Sequence, residues 1–110
     1  MIKIGIIGPE SYNNQLQIIK LFQLIKQTYG KFVSILSGGN NTGVEAMVKK
    51  LALELELDYK EYNPSYTGKR MYSALSDEYY GKEYHISHLS DRYRLLIYEC
   101  DYLIIFINKG

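Results

Sequence analysis

The run Ser37-Gly38-Gly39-Asn40-Asn41-Thr42-Gly43-Val44-Glu45 is the stretch of this 110-residue chain whose residue types and spacing best suit a definite chemistry. It lies between a short apolar run and an amphipathic one, where a strand would hand over to a helix. Glycines there let the backbone approach an anion closely, and the open N–H groups of a first helical turn, with the helix dipole, can hold phosphate. The run is not a P-loop, because no Gly-Lys-Ser/Thr closes it, and it does not follow the first strand as a dinucleotide fingerprint does. Read without a ligand, the same glycines make a tight strand-to-helix turn. Thr42 and Glu45, three residues apart, form a capping-box pair that would satisfy amides of the first turn.

Other chemistry-bearing residues are sparser. Arg92 can clamp a phosphate bidentately or pair at the surface with Asp91 or Glu99. Asp101 precedes an apolar run and reads as a helix-to-strand turn residue. His85, His88 and Asp91 are a minimal metal set, but their spacing stretches around a helix, so no metal site is expected. Cys100 falls on the apolar face of a helix and reads as a buried, inert thiol. Tyr59, Tyr62, Tyr66, Tyr72, Tyr79, Tyr80 and Tyr84 crowd one segment beside Lys69 and Arg70. They can stack on a base, or coat an irregular surface or subunit interface.

The elements that must position these residues follow from periodicity. Ile2–Gly8 is apolar on both faces, as in a strand covered on two sides, and Gly8-Pro9-Glu10-Ser11 ends it. Within Asn14–Tyr29, Ile18, Phe22, Ile25 and Tyr29 form a helical stripe closed by Gly30. Phe32–Leu36 is a second buried strand. Val44, Met47, Val48, Leu51, Ala52 and Leu55 make the clearest helical face. Asp58–Tyr62 reads as a shorter, more polar edge strand. From Asn63 to Ser87 no period holds, which in a compact domain points to a functional or partly helical segment. Leu89, Tyr93, Leu96, Ile97 and Cys100 mark a third helix, with Ser87 or Ser90 as its N-cap. Tyr102–Ile107 is a last strand, apolar enough to be central.

The order β-α-β-α-β-(irregular)-α-β predicts one α/β domain over residues 1–110. Its fold would be a three-layer, Rossmann-like parallel sheet of about four strands with right-handed crossovers. A strand order of 3-2-1-4 would put a switch point between the first and last strands, and ligands bind such sheets at the carboxyl ends of the strands near that crevice. Thirteen basic residues against twelve acidic ones give a net charge of +1, which argues against a duplex nucleic-acid binder. One cysteine excludes an internal disulfide framework and a Cys-rich zinc module. No apolar run approaches a membrane span and no leader pattern opens the chain, so a cytoplasmic protein is expected.

The loop Gly38-Gly39-x-x-x-Gly43-x-Glu45 with its apolar helix resembles the SLOG superfamily, in its YspA-like and lysine-decarboxylase-like nucleotide-binding branches. The segment Arg92-Tyr93-Arg94-Leu95-Leu96-Ile97-Tyr98-Glu99-Cys100-Asp101 is similar to that family's Arg-Asn-x-x-Met-Val-x-x-Ala-Asp. Tyr93 stands where Asn is usual, Leu96 replaces Met and Cys100 replaces Ala. The resemblance implies binding of a nucleotide or nucleotide-derived ligand, with no further cofactor. Gly8, Pro9 and Ser11 would contribute from the first loop, bordered by Asn13. Gly38, Gly39, Asn40, Asn41, Thr42 and Gly43 would hold phosphate, Glu45 would meet a ribose hydroxyl or amine, and Arg92 and Lys109 would supply positive charge. Tyrosines of the Tyr66–Tyr80 segment would cover the base. A homodimer or higher homo-oligomer is implied as well.

Many members continue with a second Gly-Gly-x-Gly-Thr loop, a helix and a strand, and the phosphoribohydrolase branch keeps its catalytic glutamate there. This chain stops at Asn108-Lys109-Gly110, so binding is expected rather than catalysis. The alternatives are an N-glycosidic-bond hydrolase or transferase acting on nucleoside monophosphates, and a ligand-free interaction module.

Overall fold

The computed structural model describes residues 1–64, 67–81 and 86–108, and the side chains of 86–89 fall outside that description. The expectations placed on Tyr66, Tyr84, His85 and Lys109, and on the side chains of Ser87 and His88, therefore lie outside the described residues. Four parallel strands, β1 (Ile2–Ile7), β2 (Val33–Ser37), β3 (Asp58–Glu61) and β4 (Tyr102–Ile105), form a sheet in the order β3-β2-β1-β4. The helices are α1 (Gln15–Tyr29), α2 (Gly43–Glu54) and α3 (Ile86–Glu99). This is the Rossmann-like arrangement that the alternation of elements predicts.

Burial explains the layering. Ile4 and Ile6 of β1 join Ile18, Phe22 and Ile25 of α1 and Val44, Val48, Leu51 and Ala52 of α2 in one core. Leu36 of β2 and Leu96 of α3 centre a second core on the opposite face of the sheet, with Tyr62 and Leu75. Two right-handed crossovers in one direction put α1 and α2 on the same face, and the return from β3 to β4 puts α3 on the other. Every residue of β2 is buried, as a strand covered on both faces must be. Asn14 caps α1, its side chain accepting from Gln17 N at 3.4 Å, and Gly30 closes the helix with φ 60°. Cys100 packs beside Leu103 against the second core but is half-buried rather than buried, because it follows the last turn of α3. Asp101 is structural: its carboxylate accepts from Lys3 N at 2.8 Å and its own N–H donates to Lys3 O.

Three expectations change. The last strand ends at Ile105 and lies at an edge of the sheet, as the order 3-2-1-4 requires and its apolar run does not suggest; only Leu103 and Ile104 are half-buried, and Tyr102 and Ile105 are exposed. Helix α3 begins at Ile86, so Ser87 and Ser90 lie inside it; a buried stripe starts only where a helix meets its core, a turn after the helix itself begins. Phe32 precedes its strand and is 77% exposed. Among the described residues, no helix is long and apolar enough to cross a membrane.

Candidate functional site

The carboxyl ends of β1, β2 and β4 converge on Glu45, in the first turn of α2. This carboxylate is 1% exposed. Its Oε1 accepts from Asn40 N at 3.2 Å and its Oε2 from the Tyr93 hydroxyl at 2.8 Å. The capping box does not form: Thr42 makes no side-chain cap bond, and Glu45 turns back toward the glycine loop. Gly38 explains how. A β-carbon at position 38 would stand 2.3 Å from Glu45 Oε1 and 2.8 Å from the Tyr93 ring. The missing side chain leaves room for the chain's own carboxylate.

That arrangement changes the role of the glycine loop. Gly39 N donates to Ser37 Oγ at 3.1 Å, and Asn40 N is taken by Glu45. Gly43, at φ 72°, makes room for the backbone of Pro9 and Glu10, which crosses the start of α2. The amides of Gly39 and Asn40 are thus engaged within the chain, and the anion on Asn40 N is Glu45 itself.

Arg92 is 3% exposed and does not reach Asp91 or Glu99. It donates through Nη1 to Gly38 O at 2.8 Å and through Nη2 to Asn40 Oδ1 at 3.3 Å, with its guanidinium 4.7 Å from the centre of the Tyr93 ring. Its Nε is buried without a hydrogen-bond partner among the described residues. Asp91 pairs instead with Arg94 at 3.1 Å. Tyr93, at the position where the resemblance places Asn, keeps a polar contact by reaching Glu45.

A second clamp was not legible in the sequence. Arg70, from the tyrosine-rich segment, donates to Gly39 O at 2.7 Å and to Asn41 Oδ1 at 2.9 Å. Its Nε lies 3.1 Å from Oε1 of the buried Glu61, a pairing of charges in which the N–H is not aimed at the oxygen. Tyr59 OH donates to Glu61 Oε2 at 3.1 Å, and Lys49 approaches the same oxygen at 3.5 Å. Asn63 ties the segment down further, accepting from Ser73 and Tyr80 and donating to Thr67 and Gly68. Tyr59 and Tyr72 meet edge to face, with ring centres 5.6 Å apart. Tyr59, Tyr72 and Tyr80 are thus held by contacts within the chain around the end of β3, while Tyr79 is exposed. The sequence signal was Arg70 itself, a cation two residues after Gly68, but nothing in its spacing named its acceptors.

Two crevices open along Ile105 to Asn108, and Glu45 lines the first of them. One, of about 390 Å³, is lined by Ile7, Gly8, Pro9, Glu45, Tyr93 and residues Ile105 to Asn108. The other, of about 650 Å³, shares Ile105 to Asn108 and is completed by Ser11, Tyr12, Asn13, Asn14 and Gln17. Asn108 donates to Ser11 Oγ at 2.7 Å across this second crevice. Of the residues expected from sequence, Gly8, Pro9 and Glu45 meet in the first crevice and Ser11 and Asn13 in the second. Arg92, Gly38, Gly39 and Asn40 lie behind Glu45, while Asn41 and Thr42 are exposed at the start of α2. Sequence reasoning missed Ile105 to Asn108, the last residue of β4 and the three that follow it, which line both crevices. Among the described residues, no three metal-ligating side chains come together.

Burial raises the pKa of Glu45 above the ordinary carboxylate value, and the bonds from Tyr93 and Asn40 with the charge of Arg92 only partly offset it. A raised folded-state pKa means the native protein holds its proton where the unfolded chain has released it. The contribution to stability is complete below the unfolded value, near 4.5, and is lost as pH rises through the folded value. Glu45→Gln, which cannot titrate, is expected to flatten the fall in urea stability that sets in above about pH 4.5. An unchanged slope would place that fall elsewhere.

No family model, no curated protein and no solved structure matches this chain, so the likeness to the SLOG superfamily stands on the glycine loop and the Arg92–Asp101 segment alone.

Proposed function

We propose that this protein binds a nucleotide-derived small molecule at the carboxyl edge of its sheet, in the crevices on either side of Ile105 to Asn108. The observation that carries this reading is the buried carboxyl of Glu45 lining an otherwise mostly apolar crevice at the β1/β4 switch point. Apolar walls with a few placed polar groups are the usual make-up of a small-molecule site, and both volumes fall in the usual range. An aromatic ring suits the walls formed by Ile7, Pro9 and Ile105. A sugar hydroxyl or an amine suits Glu45, which accepts hydrogen bonds when ionised and donates one when protonated. The amides of Gly39 and Asn40 are not offered to phosphate, so the ligand's anionic part belongs outside that pair. Amide side chains of Asn13, Asn14, Gln17 and Asn108 supply donors and acceptors on the other side.

The test is calorimetric titration with adenosine, AMP, a cyclic mononucleotide and ADP-ribose. At least one is expected to bind at micromolar concentration, about tenfold or more weakly to Glu45→Gln, and not at all to Ile105→Arg, which fills the crevice from an exposed position. Absence of heat with all four up to millimolar concentration would overturn the reading.

A second reading is favoured by the same carboxyl. A glutamate with a raised pKa, hydrogen-bonded to Tyr93 and facing a crevice, can serve in general acid–base work at an N-glycosidic bond. Release of free base from nucleoside monophosphates, abolished in Glu45→Gln, would promote it. A blank at high protein concentration would retire it.

A further inference from the structure

We propose that β4 is a self-association edge, through which two copies of this chain pair antiparallel and merge their four-stranded sheets into one. The two edges of the sheet are built differently. β3 alternates buried Tyr59 and Glu61 with exposed Asp58 and Lys60, and outward charge is how a sheet edge resists pairing. β4 carries no charge from Tyr102 to Ile107, while Tyr102 is 56% and Ile105 is 55% exposed.

The hydrogen-bond ladder fixes which groups are open. Ile2 N donates to Phe32 O, so even residues of β1 face β2; Lys3 N, turned the other way, reaches Asp101. On β4, Phe106 N donates to Ile7 O at 2.9 Å, in register with the pairing of Ile6 with Ile104. Alternate residues of a strand turn their N–H and C=O the same way. Tyr102, Ile104 and Phe106 therefore face β1, and Leu103 and Ile105 present their backbone groups outward. An antiparallel mate satisfies them when Leu103 of one copy exchanges both bonds with Ile105 of the other. That register is self-complementary: a two-fold axis passes through Ile104, and Tyr102 of each copy falls opposite Phe106 of its mate.

The side chains suit the same occupant. Beside β4, an apolar groove of about 350 Å³ runs between the strand and α1, lined by Leu21, Leu24, Ile25, Tyr29, Tyr102 and Ile104. Leu24 is 59% exposed there. The two-fold axis, perpendicular to the sheet, brings the grooves of both copies to one face of the joined strands. A four-residue strand edge with one flanking groove belongs with the small interfaces, which suits weak, reversible association in the micromolar range.

Sedimentation velocity from about 1 to about 500 μM is expected to show a reversible dimer. Tyr102→Lys puts a charge on the open edge at an exposed position and is expected to weaken the dimer by more than about tenfold while leaving the circular-dichroism melt of the monomer in place. With Cys100→Ser as background, Ile104→Cys is expected to form a covalent dimer under mild oxidation, since residues on the axis meet with Cα atoms about 4.5 Å apart, within disulfide reach. Tyr102→Cys in the same background is expected to stay uncrosslinked. A monomer throughout the concentration range overturns the proposal. So does a dimer indifferent to Tyr102→Lys, or equal crosslinking at 102 and 104.

Discussion

Gly43→Ala is expected to lower the unfolding free energy by about 3 kcal/mol, and by more if the loop cannot move. Two costs add at this position. The backbone at φ 72° is left-handed, which an alanine adopts only with strain. The new β-carbon would also stand 2.4 Å from Glu10 Cα and 2.6 Å from Pro9 O. Both are backbone atoms, so relief requires shifting the crossing of the loop after β1 over the start of α2. Gly81→Ala is the control. It has a similar φ of 78° but, among the described residues, nothing within 4 Å of a β-carbon, and it is expected to cost only about 1 kcal/mol. Urea denaturation of both variants measures the difference. Equal losses would mean that the loop crossing is loose, and Gly8 and Pro9 would no longer be fixed walls of the crevice.

The second large effect is expected at Arg92. Arg92→Met keeps much of the side-chain volume but leaves Gly38 O and Asn40 Oδ1 buried or half-buried without their donor, and deprives Glu45 of a nearby positive charge. Breaking a buried charged network from one side costs about 3–5 kcal/mol, a large share of the stability of a domain this size. Arg92→Lys is expected to recover little, because one ammonium cannot span two acceptors and stack on Tyr93 as a planar guanidinium does. Loss of charge also removes an influence that lowers the pKa of Glu45. The fall of stability with pH should therefore begin at the same unfolded value and extend to higher pH than in the parent. Urea titrations at several pH values read both effects together, and a variant within about 1 kcal/mol of the parent would show that the arginine is dispensable to the fold.

Much of the fold was legible because it is written in long apolar stripes. The face from Val44 to Leu55 could only be a helix against a sheet, and the buried run ending at Ser37 could only be a covered strand. The positions of the site were partly legible for a different reason: Gly38, Glu45 and Arg92 have residue types that are costly to place without purpose, and the structure does bring them together. Their mutual roles were not legible. Thr42 and Glu45 have capping-box spacing, yet burial beside Gly38 and the hydroxyl of Tyr93 draws the carboxylate away from the cap. Arg70 and Asn63 escaped because their segment has no period, and Glu61 because its place in an edge strand does not name its partners; their bonds run from side chains to residues distant in sequence, a pattern that spacing along the chain does not encode. The edge position of β4 followed from the alternation of elements, which predicts the order 3-2-1-4; its apolar run pointed the other way, toward a central strand, because an apolar strand looks the same whether its neighbour is present on one side or on both.

The two arginines carry a consequence for the order in which the molecule matures. Gly38 O is held from 54 residues further along the chain and Gly39 O from 31 residues further along. A nascent chain that has emerged only as far as β3 holds three of the four strands, but the turn after β2 still lacks both of its tethers. Its shape is acquired when the last third of the polypeptide docks. Any guest of this crevice therefore meets a receptive protein only after synthesis has passed α3, and the first half made alone would be a sheet without a grip.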